Sequence, residues 1–177
     1  MADTLDAVVV DGGTDSGVMQ MMRRARAEGR YRFPLIGVAV ESLVTWPSRF
    51  SLRRRAPLEP HHTHFVLVPG SDWGDDSTWL SELATTLSAS LPSVTVLING
   101  GEIAWEDVSQ SIKQGRSVIV VAGTGRTADR IASALRGGDS DARANGLIAS
   151  GRLQAVDLAD GPGTLSSALQ RILSAKE

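Results

Sequence analysis

The sequence predicts a three-layer α/β/α fold of the Rossmann-like, doubly wound type with a mainly parallel sheet. Three observations predict it: short apolar runs rich in Val and Ile, helical periods between these runs, and glycine turns where the runs end. The chain has 177 residues, which is the ordinary size of one domain. We therefore expect residues 1–177 to form a single domain.

Six apolar runs are the expected strands. Most of them are continuous rather than alternating, which is typical of strands buried on both faces of a parallel sheet. The runs lie at residues 7–10, 35–40, 65–68, 94–98 and 118–121, with a weaker one at 153–158.

Five helices are expected between and after these strands, because apolar residues there step by three and four positions. They cover residues 18–25, 80–91, 104–112, 128–135 and 165–172. Residues 41–62 and 137–151 carry no clear period, and we expect both to be loops. The predicted order is β-α-β, the long loop, and then β-α repeated four times.

Composition excludes several classes of protein. The 18 basic and 20 acidic residues give a formal net charge of -2, whereas a nucleic-acid-binding domain needs a basic face. No apolar run approaches the ~18 residues of a membrane span, and no signal peptide is recognised. The absence of cysteine excludes disulfides and thiolate metal sites. We expect a cytoplasmic protein that binds no nucleic acid and no metal.

Four glycine-containing turns follow predicted strands, at residues 11–17, 69–74, 99–101 and 123–126. In a parallel sheet such turns meet at the carboxyl edge, where ligands bind. Glycine lets backbone N–H groups approach an anion, and the helix start behind each turn adds further donors. Alternatively, each glycine serves only its own turn. The candidate ligand-binding residues are Gly12, Gly13, Thr14, Ser16, Gly17, Gly70, Ser71, Gly100, Gly101, Gly123, Thr124, Gly125 and Arg126.

None of these turns matches a common nucleotide motif in full. A Walker A loop would need Gly-Lys-Ser/Thr, which is absent from all four turns. Gly123-Thr124-Gly125 is followed by Ala128 at the third position of a Gly-x-Gly-x-x-Gly/Ala fingerprint. A dinucleotide site at that turn therefore stays open as an alternative.

Four motifs, in order along the chain, resemble the SLOG superfamily. The closest resemblance is to the branch found in the N-terminal region of TRPM cation channels and in their prokaryotic relatives. The motifs are the Gly-Gly-Thr-x-x-Gly-Val turn at 12–18, the His-Thr-His-Phe strand at 62–68, the Asn-Gly-Gly turn at 99–101 and the Val-Val-x-Gly-x-Gly-Arg-x-Ala-Asp segment at 120–129. Together they extend over most of the chain.

The resemblance implies a Rossmann-like domain that binds a nucleotide-derived ligand, of the ADP-ribose or NAD type, and requires no cofactor. It implies that the turns at 12–17 and 123–126 hold phosphates, with Arg126 as a bidentate fork and Gly100 and Gly101 beside it. It also implies signalling to an effector or membrane-associated partner protein. Members of this fold carry an additional β-α unit before the Gly-Gly-Thr strand, and we expect this sequence to lack it.

An enzyme of the same superfamily is the alternative. The 69–74 turn resembles the Pro-Gly-Gly-x-Gly-Thr-x-x-Glu turn of the cytokinin-activating phosphoribohydrolases, which cleave an N-glycosidic bond of nucleoside monophosphates. Asp76 would stand in for the acid and Arg55 for the upstream arginine, with Ser71 at the second glycine. A carboxylate there would stabilise the oxocarbenium-like charge. The competing interpretation is that Asp75, Asp76 and Ser77 cap the following helix.

Three further groups of residues have two interpretations each. We expect His62 and His64 to bond backbone or solvent rather than a metal, because no third ligand is evident. Four arginines of the long loop form either a solvated face or a lid over a polyphosphate; they are Arg49, Arg53, Arg54 and Arg55. A methionine cluster predicts a homodimer through helices that flank the site; it consists of Met19, Met21 and Met22.

Arg126 is expected to point away from the core. The helix behind it presents Ala128 and Ile131 to the sheet, and residue 126 lies on another side of that helix. A cation in the first turn opposes the helix dipole, and a bound anion would remove this conflict. The alternative is a salt bridge to Asp129 or to a neighbouring helix, which contributes little where it is exposed.

Overall fold

The computed structural model describes residues 2–46, 55–138 and 141–174. The chain divides into two compact units, Met1–Leu80 and Ser81–Glu177, and each is described by itself. The predicted strands and helices occur in the predicted order, with further elements inside the two predicted loops, and the strand ladders of the described residues are parallel. The single domain over residues 1–177 stays a prediction.

The first unit is built on a three-stranded parallel sheet in the order β1-β2-β5. Its strands are β1 Val9–Asp11, β2 Leu35–Val40 and β5 His64–Val68, and helix α1 Gly17–Glu28 connects β1 to β2. The central strand β2 is buried along almost its whole length, which explains its uninterrupted apolar sequence.

The predicted loop at 41–62 contains short ordered pieces. A single 3-10 turn, Glu41–Leu43, leads into β3 Val44–Thr45, which pairs in parallel with β4 Ala56–Pro57. Leu58, next to β4, packs with Ala39 and Val44 in the core of this unit. The arginines at positions 49, 53 and 54 lie outside the described residues, so the predicted lid is not described. Arg55 is described and exposed.

The second unit holds a parallel sheet in the order β6-β7-β8, with helices on both faces. Its strands are β6 Val94–Ile98, β7 Ser117–Ala122 and β8 Leu153–Asp157. Its helices are α3 Ile103–Lys113, α4 Arg126–Leu135, α5 Ala142–Ile148 and α6 Pro162–Leu173, while α2 Ser77–Ser88 spans the boundary between the units.

Strand β7 shows why the second unit has three layers. Val118 and Val120 pack in the cluster formed with α3, α4 and α5, whereas Ile119 packs in the cluster formed with α6. Alternate side chains of one strand point to opposite faces, so both faces of the sheet are covered. The run of apolar residues that predicted β7 is the direct consequence.

Helix α5 corrects the prediction for residues 137–151, which was a loop. Asp141 caps the helix by accepting a hydrogen bond from the Arg143 N–H at 3.0 Å. Ala144 is fully buried, and Leu147 and Ile148 pack against the same core. This spacing of three and four is a helical period that the many glycines around it obscured.

No helix in the described part of the chain combines the length and the hydrophobicity needed to cross a membrane.

Candidate functional site

The turn after β1 carries the first group of predicted ligand-binding residues. Asp11, the last residue of β1, accepts a hydrogen bond through Oδ1 from the Gly13 N–H at 2.8 Å. Gly13 has φ +65°, and a Cβ placed on it would lie 2.8 Å from the Gly37 Cα. Only glycine fits there, and its N–H is already used inside the protein. Thr14 is buried, so the exposed part of the turn is residues 15–17.

The start of α1 is open in this turn. Ser16 precedes the helix without a side-chain capping bond, and the first helical turn contains no acidic residue. The hydroxyls of Thr14 and Ser16 lie 3.2 Å apart, while Gly12 is half-buried and Gly17 is exposed. The first N–H groups of an uncapped helix are free to bind an anion.

A buried charged network lies behind this turn. His62 Nε2 is 2.8 Å from Asp11 Oδ1, and His62 Nδ1 is 3.0 Å from Glu59 Oε2. The other oxygen of Glu59 lies 3.0 Å from Arg23 Nε, on α1, and 2.9 Å from His61 Nδ1. The side chains of His62 and Glu59 are both 0 % exposed. The expectation that His62 bonds backbone or solvent is therefore wrong, because its partners are two carboxylates.

The network shifts the titration of its own members. Burial alone would lower the pKa of His62, but its contacts with Asp11 and Glu59 outweigh burial and raise that pKa above the ordinary value. Burial alone would raise the pKa of Glu59, but the hydrogen bonds from His62 and His61 outweigh it and lower that pKa. Both shifts favour the charged forms of the pair.

The turn at 69–74 holds the candidates for N-glycosidic cleavage. Asp75 Oδ2 accepts hydrogen bonds from the N–H groups of Ser71 and Asp72, at 2.9 and 3.1 Å, and these bonds lower the pKa of Asp75. Asp75 thus closes its own turn instead of capping α2. Asp76 is half-buried, and this burial raises its pKa. Gly70 and Ser71 are exposed.

In the second unit, the turns after β6 and β7 bind each other. The Thr124 hydroxyl donates to the Val121 carbonyl at 2.6 Å and accepts from the Asn99 N–H at 2.8 Å. The Ala128 N–H, at the start of α4, donates to the Asn99 carbonyl at 2.9 Å. Gly123 donates its N–H to Asp129 Oδ1 at 2.7 Å. The hydroxyl of Thr124 and the N–H of Gly123 are therefore occupied by the protein itself.

A cleft of about 150 Å³ remains open beside these turns. Its lining residues are Gly100, Gly101, Glu102, Arg126, Thr127 and Arg130. The guanidinium of Arg126 covers Gly101, where an added Cβ would lie 3.0 Å from Arg126 Nη2. Arg126 is exposed, as predicted, and has φ +52°, a left-handed conformation that is rare outside glycine.

The expected alternative partner of Arg126, Asp129, accepts the Gly123 N–H through Oδ1 and makes no ion pair with Arg126 in the described residues. The ion pairs in this region belong to other arginines: Arg143 lies 2.7 Å from Glu102, and Arg130 lies 3.9 Å from it. Among the described residues, no carboxylate pairs with Arg126. The hydrogen bond from Arg143 lowers the pKa of Glu102 and engages its negative charge.

A larger cavity of about 480 Å³ lies where β7 and β8 end, and Gly123 is the predicted ligand-binding residue that lines it. Asp129 and Asp157 line it with Arg136, whose Nη2 is 2.7 Å from Asp157 Oδ2. Asp157 stands directly beside Ala122 in the parallel ladder. The signal for it was an acidic residue at the end of the strand that follows a Gly-x-Gly turn.

Comparison with known proteins identifies the family. No curated protein matches the chain. The X-ray structure of TM1055, a structural genomics target, superimposes with a TM-score of 0.62 at 20% sequence identity, covering 98% of this chain and 82% of the other. That similarity shows a shared Rossmann-like α/β fold. The sequence model described as "SLOG in TRPM, prokaryote" matches residues 1–167, so the chain belongs to the prokaryotic SLOG family related to the TRPM channels.

Proposed function

We propose that the protein binds a nucleotide-derived ligand of the ADP-ribose or NAD type through its glycine-rich turns. The observation that carries the proposal is the cleft lined by Gly100, Gly101 and Arg126. There a guanidinium without a carboxylate partner in the described residues lies beside the start of α3. A phosphate would accept hydrogen bonds from the guanidinium fork and from the Ile103 N–H at the helix start, whereas the N–H groups of Ala104 and Trp105 already donate to the carbonyls of Gly101 and Glu102.

Two features of this cleft support an anionic ligand. Arg126 occupies a left-handed backbone conformation, and such strain is concentrated at functional sites. The one acid of the cleft, Glu102, is engaged by Arg143, which reduces its competition for the cations. The turn at 12–17, with its uncapped α1, is the proposed phosphate-binding turn of the first unit.

A ligand screen tests the proposal. ADP-ribose, NAD, cyclic ADP-ribose and nucleoside monophosphates are added separately, and melting temperature is measured. A ligand at 100 times its dissociation constant adds about 2.7 kcal/mol of stability. Failure of every nucleotide to shift the melting temperature would contradict the proposal and leave a module that interacts without a ligand.

Arg126→Ala locates the site. We expect affinity for the ligand found in the screen to fall at least about tenfold, or about 1.4 kcal/mol. The stability of the unliganded protein should stay level or rise slightly, because Arg126 makes no ion pair within the described residues. Arg171→Ala, an exposed arginine of α6, is the matched control. Unchanged affinity with a lower melting temperature would make Arg126 structural.

N-glycosidic hydrolysis of nucleoside 5'-monophosphates is the second candidate function. The observation that favours it is Asp76, a half-buried acid with a raised pKa beside the 69–74 turn. Product analysis of the same screen tests it: an active enzyme releases a free base and ribose 5-phosphate. Asp76→Asn should abolish that release, whereas no product from any nucleoside monophosphate would leave ligand binding alone.

The protein is further proposed to form a homodimer. Met21 is 60% exposed on α1, and Met19 and Met22 are half-buried beside it, which provides an adaptable apolar surface. Light scattering at micromolar concentration should give the mass of two chains. A single-chain mass would contradict the proposal.

A further inference from the structure

The network behind the 12–17 turn connects three parts of the first unit. Asp11 ends β1, Glu59 and His62 lie between β4 and β5, and Arg23 lies on α1. The ring of Phe65, on β5, stacks on His62 with centroids 5.3 Å apart. The charged or titratable groups that face His62 or its partners are thus Asp11, Glu59, His61 and Arg23, the last two through Glu59.

The geometry favours a doubly protonated ring at His62. Each of its nitrogens faces a carboxylate oxygen, at 2.8 and 3.0 Å. A neutral imidazole would have one N–H and would direct a lone pair at the other carboxylate. With the imidazolium, Arg23 and the two carboxylates, the charges of the network sum to zero. Loss of the His62 proton would leave a net negative charge in a buried place.

The same carboxylate that binds His62 also holds the turn. Asp11 Oδ1 accepts both the His62 contact and the Gly13 N–H. Asp11 Oδ2 is buried and has no hydrogen-bond donor in the described residues. The positive charge of His62 is therefore the main group that balances the negative charge of Asp11. On the other side, the Glu59 N–H donates to the Gly13 carbonyl at 2.9 Å. Gly13 is therefore held from both sides by members of one network.

We propose that His62 is a positioning residue, whose imidazolium holds Asp11 and through it the 12–17 turn in the conformation that binds the ligand. The inference rests on the proposed function, because this turn is one of those that would hold phosphate. Loss of the proton would free the Asp11 carboxylate beside the turn, where its charge repels a phosphate. Affinity for an anionic ligand should then fall as pH rises through the titration of His62.

The first experiment uses the unliganded protein. Nitrogen-15 NMR should show both ring nitrogens of His62 protonated at neutral pH. The protection factor of the Gly13 amide against hydrogen exchange should fall as pH rises and His62 titrates. A neutral His62 ring at neutral pH, or a Gly13 protection factor that is independent of pH, would overturn the proposal.

The second experiment measures ADP-ribose affinity by calorimetry between about pH 6 and 9, a range in which unperturbed and raised histidines titrate. The wild type should lose about tenfold in affinity over this range. His62→Gln, which carries no charge and does not titrate, should bind weakly at low pH with a flat profile. His64→Gln is the matched control, since its ring bonds only the neighbouring Thr63 hydroxyl among described partners and should keep the wild-type profile.

The outcomes separate this proposal from the function on which it rests. If ADP-ribose binds but the wild-type profile is flat, the positioning role is refuted and the proposed function stands. If ADP-ribose does not bind at any pH, the proposed use of that ligand fails, and the NMR and exchange results still decide whether His62 holds the turn. If His62→Gln does not fold, the wild-type measurements decide the question alone.

Discussion

The glycine turns after β1 and β7 are held by different kinds of contact. The first, at 12–17, is attached to a buried network of two carboxylates, an imidazolium and a guanidinium. The second, at 123–126, is held by hydroxyl, amide and carbonyl groups, with Asp129 as its one charged contact among the described residues. The first turn should therefore respond strongly to removal of a charge and to pH, and the second should not.

The largest loss in the free energy of unfolding is expected from Glu59→Ala. This change leaves the imidazolium of His62 and the guanidinium of Arg23 without their shared carboxylate, and breaking a buried ion pair costs about 3–5 kcal/mol. The free energy of unfolding of the first unit, measured in urea, should fall by that amount. Glu106→Ala, an exposed acid of the second unit with a long ion pair to Lys113, should change little. Equal losses of stability in Glu59→Ala and Glu106→Ala would show that the buried network does not stabilise the first unit more than an exposed ion pair stabilises the second.

Gly13→Ala should cause the next largest loss in the free energy of unfolding. The positive φ alone costs about 1 kcal/mol, and the collision with the Gly37 backbone adds about 1–3 kcal/mol. Gly17→Ala is the matched control, because it has a similar φ of +53° but nothing within 4 Å of the added Cβ. Urea unfolding should therefore separate the two variants by the collision alone. Similar losses in both would show that the turn adjusts to the extra atom.

Thr124→Val tests the neutral contacts of the second turn. It removes a hydroxyl that donates to Val121 and accepts from Asn99, which should cost about 1–2 kcal/mol. Unfolding of this unit can be followed by fluorescence of Trp105, its buried tryptophan. Thr124→Ser keeps the hydroxyl and should retain most of the stability. A loss in Thr124→Ser as large as in Thr124→Val would show that the hydroxyl alone does not stabilise this turn.

The pH dependence of stability should be the smallest effect, since no atom is removed. The raised pKa of His62 contributes stability that is complete below its ordinary pKa and disappears as pH rises through the raised value. The lowered pKa of Glu59 contributes stability that is lost as pH falls through the lowered value. The first unit should thus be most stable between the two. All three histidines belong to that unit, so amide exchange should show alkaline loss there and not around Thr124.

The fold could be predicted from the sequence because strands buried on both faces of a parallel sheet are continuous apolar runs. Runs such as those of β2 and β7 are buried on both faces and therefore apolar throughout, and six such runs predicted the strands in their order along the chain. Helix α5 was missed because its period is short and surrounded by glycine. Asp141 was a readable start signal for it.

The candidate site could be predicted only in part. Arg126 is exposed, as the apolar spacing of Ala128 and Ile131 predicted, but its left-handed backbone was not predictable from that spacing. The role of Glu59 could not be anticipated, since it lies in a segment without a period and its network includes Asp11, far away in sequence. The internal use of the Thr124 hydroxyl was equally hidden, because a motif shows which groups are present and not which are already occupied.

The left-handed backbone of Arg126 has a consequence for protein engineering. A side chain in that conformation costs about 1 kcal/mol, which glycine would avoid. Because Arg126 pairs with no carboxylate among the described residues, little would be lost from the folded chain in exchange. A selection for heat-resistant variants would therefore be expected to accumulate glycine at position 126 and to discard the guanidinium with it. Libraries built on this protein should be sorted for thermal resistance and for nucleotide capture in separate rounds.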